Sequence, residues 1–194
     1  MPWPALSASL PRHRHRLSQW LARGLLRLMG WQIRGQLPDA PKMVVAVAPH
    51  TSNWDFIITM AASLAMGVQI SFVGKHSIFV WPLKKLLISF GGIAVRREQS
   101  HGVVAQLVRE FASREQLILG ISPEGTRHKV AAWKTGFWHI ARDAQVPIQL
   151  VGIDFASKQL VFGPLYSVST DMASDFAKMR RFFQQMTAKY PENA

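Results

Sequence analysis

The chain has 194 residues, 48% of them hydrophobic and 18% charged, a length and apolar share that fit one domain with a sizeable core and exclude a disordered chain. It has no cysteine, which excludes disulfides, thiolate metal sites and thiol nucleophiles. Lys and Arg number 23 against 11 Asp and Glu, a formal charge of +12 that points to an anionic partner: nucleic acid, an anionic membrane or a phosphorylated substrate.

Residues 1–10 carry Pro2, Pro4 and scattered apolar side chains, followed by the basic cluster Arg12-His13-Arg14-His15-Arg16. A secretory signal has its basic part first, so the segment reads as uncleaved. From Leu17 to Gly30 the pattern is helical. At 100° per residue Arg16, Arg23 and Arg27 fall within about 40° of one another, and Leu17, Leu21, Leu25 and Leu28 fill an arc of roughly 80°. Trp20 lies between the two arcs. Such a helix suits the headgroup layer of a membrane, and the plainer alternative is a helix packed on the core. Six arginines precede residue 35 while the first acid is Asp39, which favours membrane contact.

After the break at Leu37–Pro41, Met43–Ala48 reads as a buried strand. Phe56–Gly74 has no charge and is long enough to suggest a membrane span. Gly67 divides it into a helical piece, Phe56–Met66, and a β-branched piece, Val68–Val73, so we read helix then strand. Further on, helices are expected at Trp81–Phe90, from Ser100 as a cap to Ala112, at Thr135–Ala144, and from Asp171 through Met172, Phe176, Met179 and Phe183. Strands are expected at Ile93–Val95, Leu117–Ile121, Ile148–Asp154 and Gln159–Phe162. Alternation of this kind means an α/β fold, a largely parallel mixed sheet flanked by helices, preceded by an amphipathic membrane-contact segment. The expected division is 1–40 for that basic segment and 41–194 for the α/β domain.

Three segments carry chemistry. His50 follows the first strand and Asp55 comes five residues later. In a continuous helix they would point about 140° apart, but a strand ending at His50 and a helix capped by Ser52 or Asn53 can turn the carboxylate back to the imidazole. A carboxylate on one ring nitrogen raises the basicity of the other, which can then take a proton from a hydroxyl. Ser122-Pro123-Glu124-Gly125-Thr126-Arg127 follows another strand, where open α/β sheets place ligands. Gly125 permits close backbone approach, Arg127 offers a planar fork for phosphate, and Glu124 can orient that guanidinium or bond an acceptor hydroxyl. Gly91–Arg97 is a strand ending in Arg96 and Arg97, again suited to phosphate. Taken singly, each segment is equally an ordinary turn or strand end. The remaining histidines, including His76, His101, His128 and His139, are not spaced as a metal set, and Gly120-x-Ser122-x-Glu124 lacks the final glycine of a nucleophile elbow. Trp133, Phe137 and Trp138 read as core, although an acyl slot needs similar walls.

In this order, from Lys42 to Pro164, the segments resemble the glycerolipid acyltransferase family typified by 1-acylglycerol-3-phosphate acyltransferase. The blocks are His50-x4-Asp55, Gly91-to-Arg97, Pro123-Glu124-Gly125-Thr126-Arg127 and Val146-Pro147-Ile148. Lys75 and Lys134 also stand where relatives carry lysines. His128-Lys129 departs from the commoner Ser-Arg, and Asn53-Trp54-Asp55 resembles a short bacterial subgroup with less uniform acceptors. The resemblance implies an O-acyltransferase in which His50, oriented by Asp55, deprotonates an acceptor hydroxyl for attack on an acyl-CoA or acyl-ACP thioester. Arg97 and Arg127 would hold the acceptor's phosphate, with Glu124, Gly125 and Thr126 shaping the pocket and Lys75 and Lys134 beside it. It implies no metal and no cofactor beyond the thioester co-substrate. The expected partners are an anionic membrane surface, a lysophospholipid and acyl-CoA or acyl carrier protein, without nucleic acid. The expected place is the cytoplasmic face of the inner membrane, bound peripherally. Two alternatives remain: a thioesterase of the same fold, and a non-enzymatic basic protein that binds membrane or nucleic acid.

Overall fold

The computed structural model describes residues 7–13, 16–95 and 100–194, with backbone alone for residues 100 and 101. In chain order the elements are α1 (Arg16–Leu28), β1 (Gln32–Arg34), β2 (Lys42–Ala48), α2 (Asn53–Met66), β3 (Ile70–Lys75), α3 (Leu83–Ser89), β4 (Gly92–Val95), α4 (Ser100–Ser113), β5 (Leu117–Ile121), α5 (Gly136–Asp143), β6 (Ile148–Asp154), β7 (Gln159–Tyr166) and α6 (Met172–Phe183). The strands form one sheet in the order β1-β7-β6-β2-β5-β3-β4, parallel at every pair except β6–β7. This is the α/β architecture expected from the alternating pattern.

The local signals explain most boundaries. Ser52 is the N-cap of α2, and Gly67 ends it in the left-handed conformation (φ +79°), its N–H donating to the carbonyls of Ser63 and Leu64. The uncharged run 56–74 is thus helix and strand, and no described helix is long and apolar enough to cross a membrane. Asp171 caps α6 by accepting from the Ser174 N–H at 3.1 Å. The helix expected over Trp81–Phe90 is shorter, Leu83–Ser89, because Pro82 sits at its N-cap instead of inside its first turn. The expected Ser100 cap lies outside the described side chains.

Two features departed from expectation. β1 was not anticipated: its three residues carry no strand pattern and are extended by pairing with β7, Gln32 opposite Gln159. The described part of segment 1–40 therefore packs within the same body as the rest, with α1 lying on α2. In α1 the core-facing stripe is Ala22 and Leu26, while the leucine arc Leu17, Leu21, Leu25 and Leu28 points to solvent together with Trp20. Arg23, grouped with Arg16 and Arg27 by the helical wheel, turns inward and donates from Nε to the Ala65 carbonyl at 2.7 Å. It serves as a cap for the C-terminal end of α2 and is withdrawn from the outer basic face.

The sheet has a core on each side. Under α1 and α2 lie Met43, Val45, Ile118, Val151, Ile153 and Leu160. Under α4, α5 and α6 lie Val44, Ala46, Leu119, Ile148, Leu150 and their neighbours. The alternation of Met43/Val45 with Val44/Ala46 shows the pleat of a strand buried on both faces. Trp133, Phe137 and Trp138 belong to this second core. Phe137 stacks on Phe176 at 5.4 Å, and the Trp138 indole N–H donates to Asp175 at 3.0 Å. The block Val146-Pro147-Ile148 enters the sheet at the start of β6, where the Pro147 carbonyl accepts the Val44 N–H at 3.0 Å. Because β2, β3, β4 and β5 are parallel, their C-terminal ends share one edge. The chain leaves β2 towards β3 on one side and reaches β6 on the other, so that edge contains a switch point where such sheets bind ligands.

Candidate active site

β2 ends at Ala48, and two residues later His50 stands at this edge with α2 beginning at Asn53. His50 Nδ1 lies 3.2 Å from Asp55 Oδ2. The same oxygen accepts the backbone N–H groups of Thr51 and Ser52, both at 2.7 Å, and Oδ1 accepts the Ser52 hydroxyl at 2.9 Å. A carboxylate in the third helical position that accepts the cap residue's N–H is one half of a capping box. Here it receives the imidazole as well. Burial works to raise the Asp55 pKa, yet the bonds from His50, Ser52 and Thr51 outweigh it and hold the group below its ordinary value. Asp55 therefore stays ionised. With Nδ1–H donating to it, the His50 Nε2 lone pair is left for a proton from a ligand.

Glu124 reaches the same turn from across the sheet edge. Its Oε2 accepts the His50 backbone N–H at 2.7 Å and lies 3.3 Å from the Ser122 hydroxyl. Partial burial raises its pKa, against the opposing effect of His50 and Ser122 and with a small contribution from the Asp55 charge. Glu124 thus does not orient Arg127, one of the two roles the sequence suggested. It holds the backbone of His50. The Arg127 guanidinium donates from Nη1 to the Asn53 side-chain oxygen instead. The amides of His50, Thr51 and Ser52 are all committed to these two carboxylates, so none of them is free to stabilise an oxyanion.

Gly125 turns the chain with φ +65°, and a Cβ on it would lie 3.1 Å from the Lys134 side chain. The lysine stem lies across this glycine, and its backbone N–H donates to the Pro123 carbonyl at 2.8 Å. Lys75 ends β3 at the same edge. His50, Lys75, Gly125, Thr126, Arg127 and Lys134 all line one open groove of about 2090 Å³. Asp55 and Asn53 border it too, and Glu124 stands behind His50. Arg97, with its neighbour Arg96, lies outside the described residues. From the His50 end the groove continues along Phe56, Met60, Phe72 and Gly120 towards Ile70 and Met66. Phe56 and Phe72 meet edge to face at 5.2 Å. A volume above the few hundred to about 1,000 Å³ of a drug-sized site, with both charged and apolar side chains in its lining, has room for a ligand with a charged head and a long chain.

The sequence offered no signal for a further support. The C-terminal tail returns to the His50–Asp55 turn: the Tyr190 N–H donates to Thr51 Oγ1 at 3.2 Å across 139 positions of chain. Lys189 Nζ stands 4.6 Å from the centre of the Trp54 ring, with Phe155 and Tyr190 beside it. Asp154 Oδ1 accepts the Thr187 N–H at 3.0 Å and ties the tail to the end of β6. Among the described residues no group of three His, Asp or Glu side chains is placed to hold a metal ion.

A largely parallel sheet thus carries an imidazole–carboxylate pair at its carboxyl edge, beside a groove with much apolar lining. The model of the acyltransferase family matches residues 32–154, and the chain belongs to that family. Its structure is similar to the crystal structure of the 1-acyl-sn-glycerophosphate (LPA) acyltransferase PlsC from Thermotoga maritima, with a TM-score of 0.62 and 14% identity over 90% of this chain and 80% of that one. At this identity the likeness speaks for the fold. Comparison with curated proteins gives no match.

Proposed function

We propose that the protein transfers a fatty acyl group from an acyl-CoA or acyl-ACP thioester to the hydroxyl of a lysophospholipid such as 1-acylglycerol-3-phosphate. The observation that carries this reading is the 3.2 Å contact of His50 Nδ1 with an ionised, buried Asp55, on a histidine that faces an apolar groove. His50 Nε2 takes the acceptor's hydroxyl proton while the oxygen forms a bond to the thioester carbonyl carbon. The tetrahedral intermediate collapses, the C–S bond breaks, and the imidazolium returns its proton to the departing thiolate. Arg127, together with Arg97, holds the acceptor's phosphate, for which Arg127 would exchange its bond to Asn53. Lys75, Thr126 and Lys134 add donors around it, and the acyl chain lies along Phe56, Met60 and Phe72. No step calls for a metal or a resident cofactor.

The acceptor and its product are lipids, and α1 offers Trp20 and four leucines beside Arg16 and Arg27. The enzyme therefore works at an anionic membrane surface, held peripherally on the cytoplasmic face of the inner membrane. Thiol release from acyl-CoA or acyl-ACP, measured with and without lysophosphatidic acid, tests the reaction. Release that requires the alcohol is expected. Release without it would make the protein a thioesterase, and no release with any donor would leave a basic binding protein.

A further inference from the structure

Most of the large apolar side chains that the core leaves out are gathered in two places, apart from Trp54, Phe56 and Ile57 at the start of α2 and the separate Leu165 and Tyr190. One is α1. The other joins β3 to β4, where Ile78, Val80, Trp81, Leu83, Leu86 and Ile88 are all exposed, Trp81 at 88%. Both lie on the same side of the sheet. Ile93 packs with Leu107 and Phe111 in the core under α4, so by the pleat its neighbour Gly92 faces the α2 side. A Cβ on Gly92 would lie 2.9 Å from the Phe79 ring and 2.7 Å from the Leu87 carbonyl oxygen, and one on Gly74 would lie 2.7 Å from Phe79. Residues 76–90 therefore cover the face that α1 and α2 cover. The His13 ring, just ahead of α1, stands 6.3 Å from Phe90 at the end of α3.

The stretches that carry these two apolar groups also lack acids. The sequence has no Asp or Glu before Asp39 and none between Asp55 and Glu98. Arg16 and Arg27 are exposed on α1, and Lys84 and Lys85 are exposed among the apolar residues of α3. The opposite layer mixes both signs, with Glu110 and Asp143 beside exposed Arg109, Arg142, Arg180 and Arg181, and its described residues include no comparable group of exposed apolar side chains. Residues 78–88 border the groove: Ile78 and Leu87 line it, as do Phe56 and Ile57 of α2, the helix on which α1 packs. An exposed apolar surface with interspersed cations and no acids matches anionic headgroups above a hydrocarbon layer.

We propose that residues 78–88 form a second lipid-contacting element which, with α1, seats this face on an anionic bilayer so that the groove opens directly into the lipid. The orientation rests on the reading that α1 meets the membrane, and the two are separable by experiment. Because the chain has no cysteine, single cysteines at Leu83, Leu21 and Arg109 can each carry an environment-sensitive fluorophore in the full-length protein. On vesicles of phosphatidylcholine with phosphatidylglycerol, the Leu83→Cys and Leu21→Cys probes are expected to shift to the blue, and the Arg109→Cys probe on α4 is not. In flotation, Trp81→Ser with Leu86→Ser should lower partition onto these vesicles about tenfold, because partition scales with the apolar area immersed. A shift at position 21 without one at 83 would overturn the second element and leave the α1 reading standing. No shift at either would overturn both. A shift at 109 as well would mean unoriented adsorption. A shift at 83 on concentrating the protein without vesicles, with growth in molecular size, would assign this face to a second copy of the chain. Each of the last two results also overturns the proposal.

Discussion

In the turn from His50 to Asp55 the bonds to the central carboxylate are made at home: the imidazole, two amides and one hydroxyl that meet Asp55 all come from residues 50–52. In the turn from Ser122 to Arg127 the two charged side chains are spent on the other turn. Glu124 takes the His50 N–H and Arg127 takes Asn53, while Lys134 lies over Gly125. The first turn is a self-contained acid–base pair, and the second is a clamp whose geometry exists only when the first is beside it. The two should therefore fail differently when broken.

The largest effect belongs to the self-contained pair. His50→Ala should keep its fold and lose activity by at least about 10²–10⁴-fold, the usual share of general-base catalysis. Near wild-type turnover in thiol release would refute the mechanism. Asp55→Asn should lose less activity but also lower the melting temperature, since the amide replaces a charged acceptor for the Thr51 and Ser52 N–H groups. On the clamp side, Glu124→Ala leaves the His50 N–H without its partner, a loss of about 1–3 kcal/mol. If that falls on the transition state it is about ten- to a hundredfold in kcat, and Glu124→Gln, which keeps an acceptor, should recover most of it. An alanine variant with unchanged kcat would show that the clamp does not position the base.

Arg127→Ala should weaken a phosphorylated acceptor by about 1.5–3 kcal/mol, read as a rise in KM, and leave an unphosphorylated one nearly unaffected. Equal losses with both acceptors would make Arg127 a structural partner of Asn53 only. Smallest is the tail. Lys189→Met should cost about 0.5–1 kcal/mol of stability through the lost contact with Trp54, and Lys189→Arg should restore it.

The two carboxylates also answer to pH with opposite signs. Asp55 has a folded pKa below its unfolded value, so its stabilisation is present above the unfolded value and is lost as pH falls through the folded one. Glu124 has a raised folded pKa, so between its unfolded and folded values the native state holds a proton that the unfolded chain has released. Stability falls as pH rises across that window. Denaturant titrations should show that second slope in the wild type and its loss in Glu124→Gln.

Much of the scaffold was legible because it is local. Met43–Ala48, Leu117–Ile121 and Ile148–Asp154 are short apolar runs between breakers, and the cap at Ser52 with Asp55 three residues on is a contact between near neighbours in sequence. β1 was not legible, since Gln32–Arg34 is extended only because the β7 edge is there to bond it. In α1 the exposed leucine arc agrees with the favoured reading, but the inward turn of Arg23 and the packing of Ala22 and Leu26 were not legible. A helical wheel separates two faces but does not say which one the core will take.

What the order of residues settled is the chemistry within reach of a single turn: a histidine with its own carboxylate, at the end of a strand in an alternating α/β chain. Contacts between near neighbours need little closure of chain, so they can be read from spacing. Tertiary structure alone decided that Glu124 holds the backbone of His50, that Asn53 receives Arg127, and that Lys189 and Tyr190 return to brace Trp54 and Thr51. It also decided that the small stripe of Ala22 and Leu26 packs on α2 while the leucines remain outside. These pairings depend on which surfaces the sheet brings face to face, and distant stretches of chain carry no mark of one another until the sheet has formed.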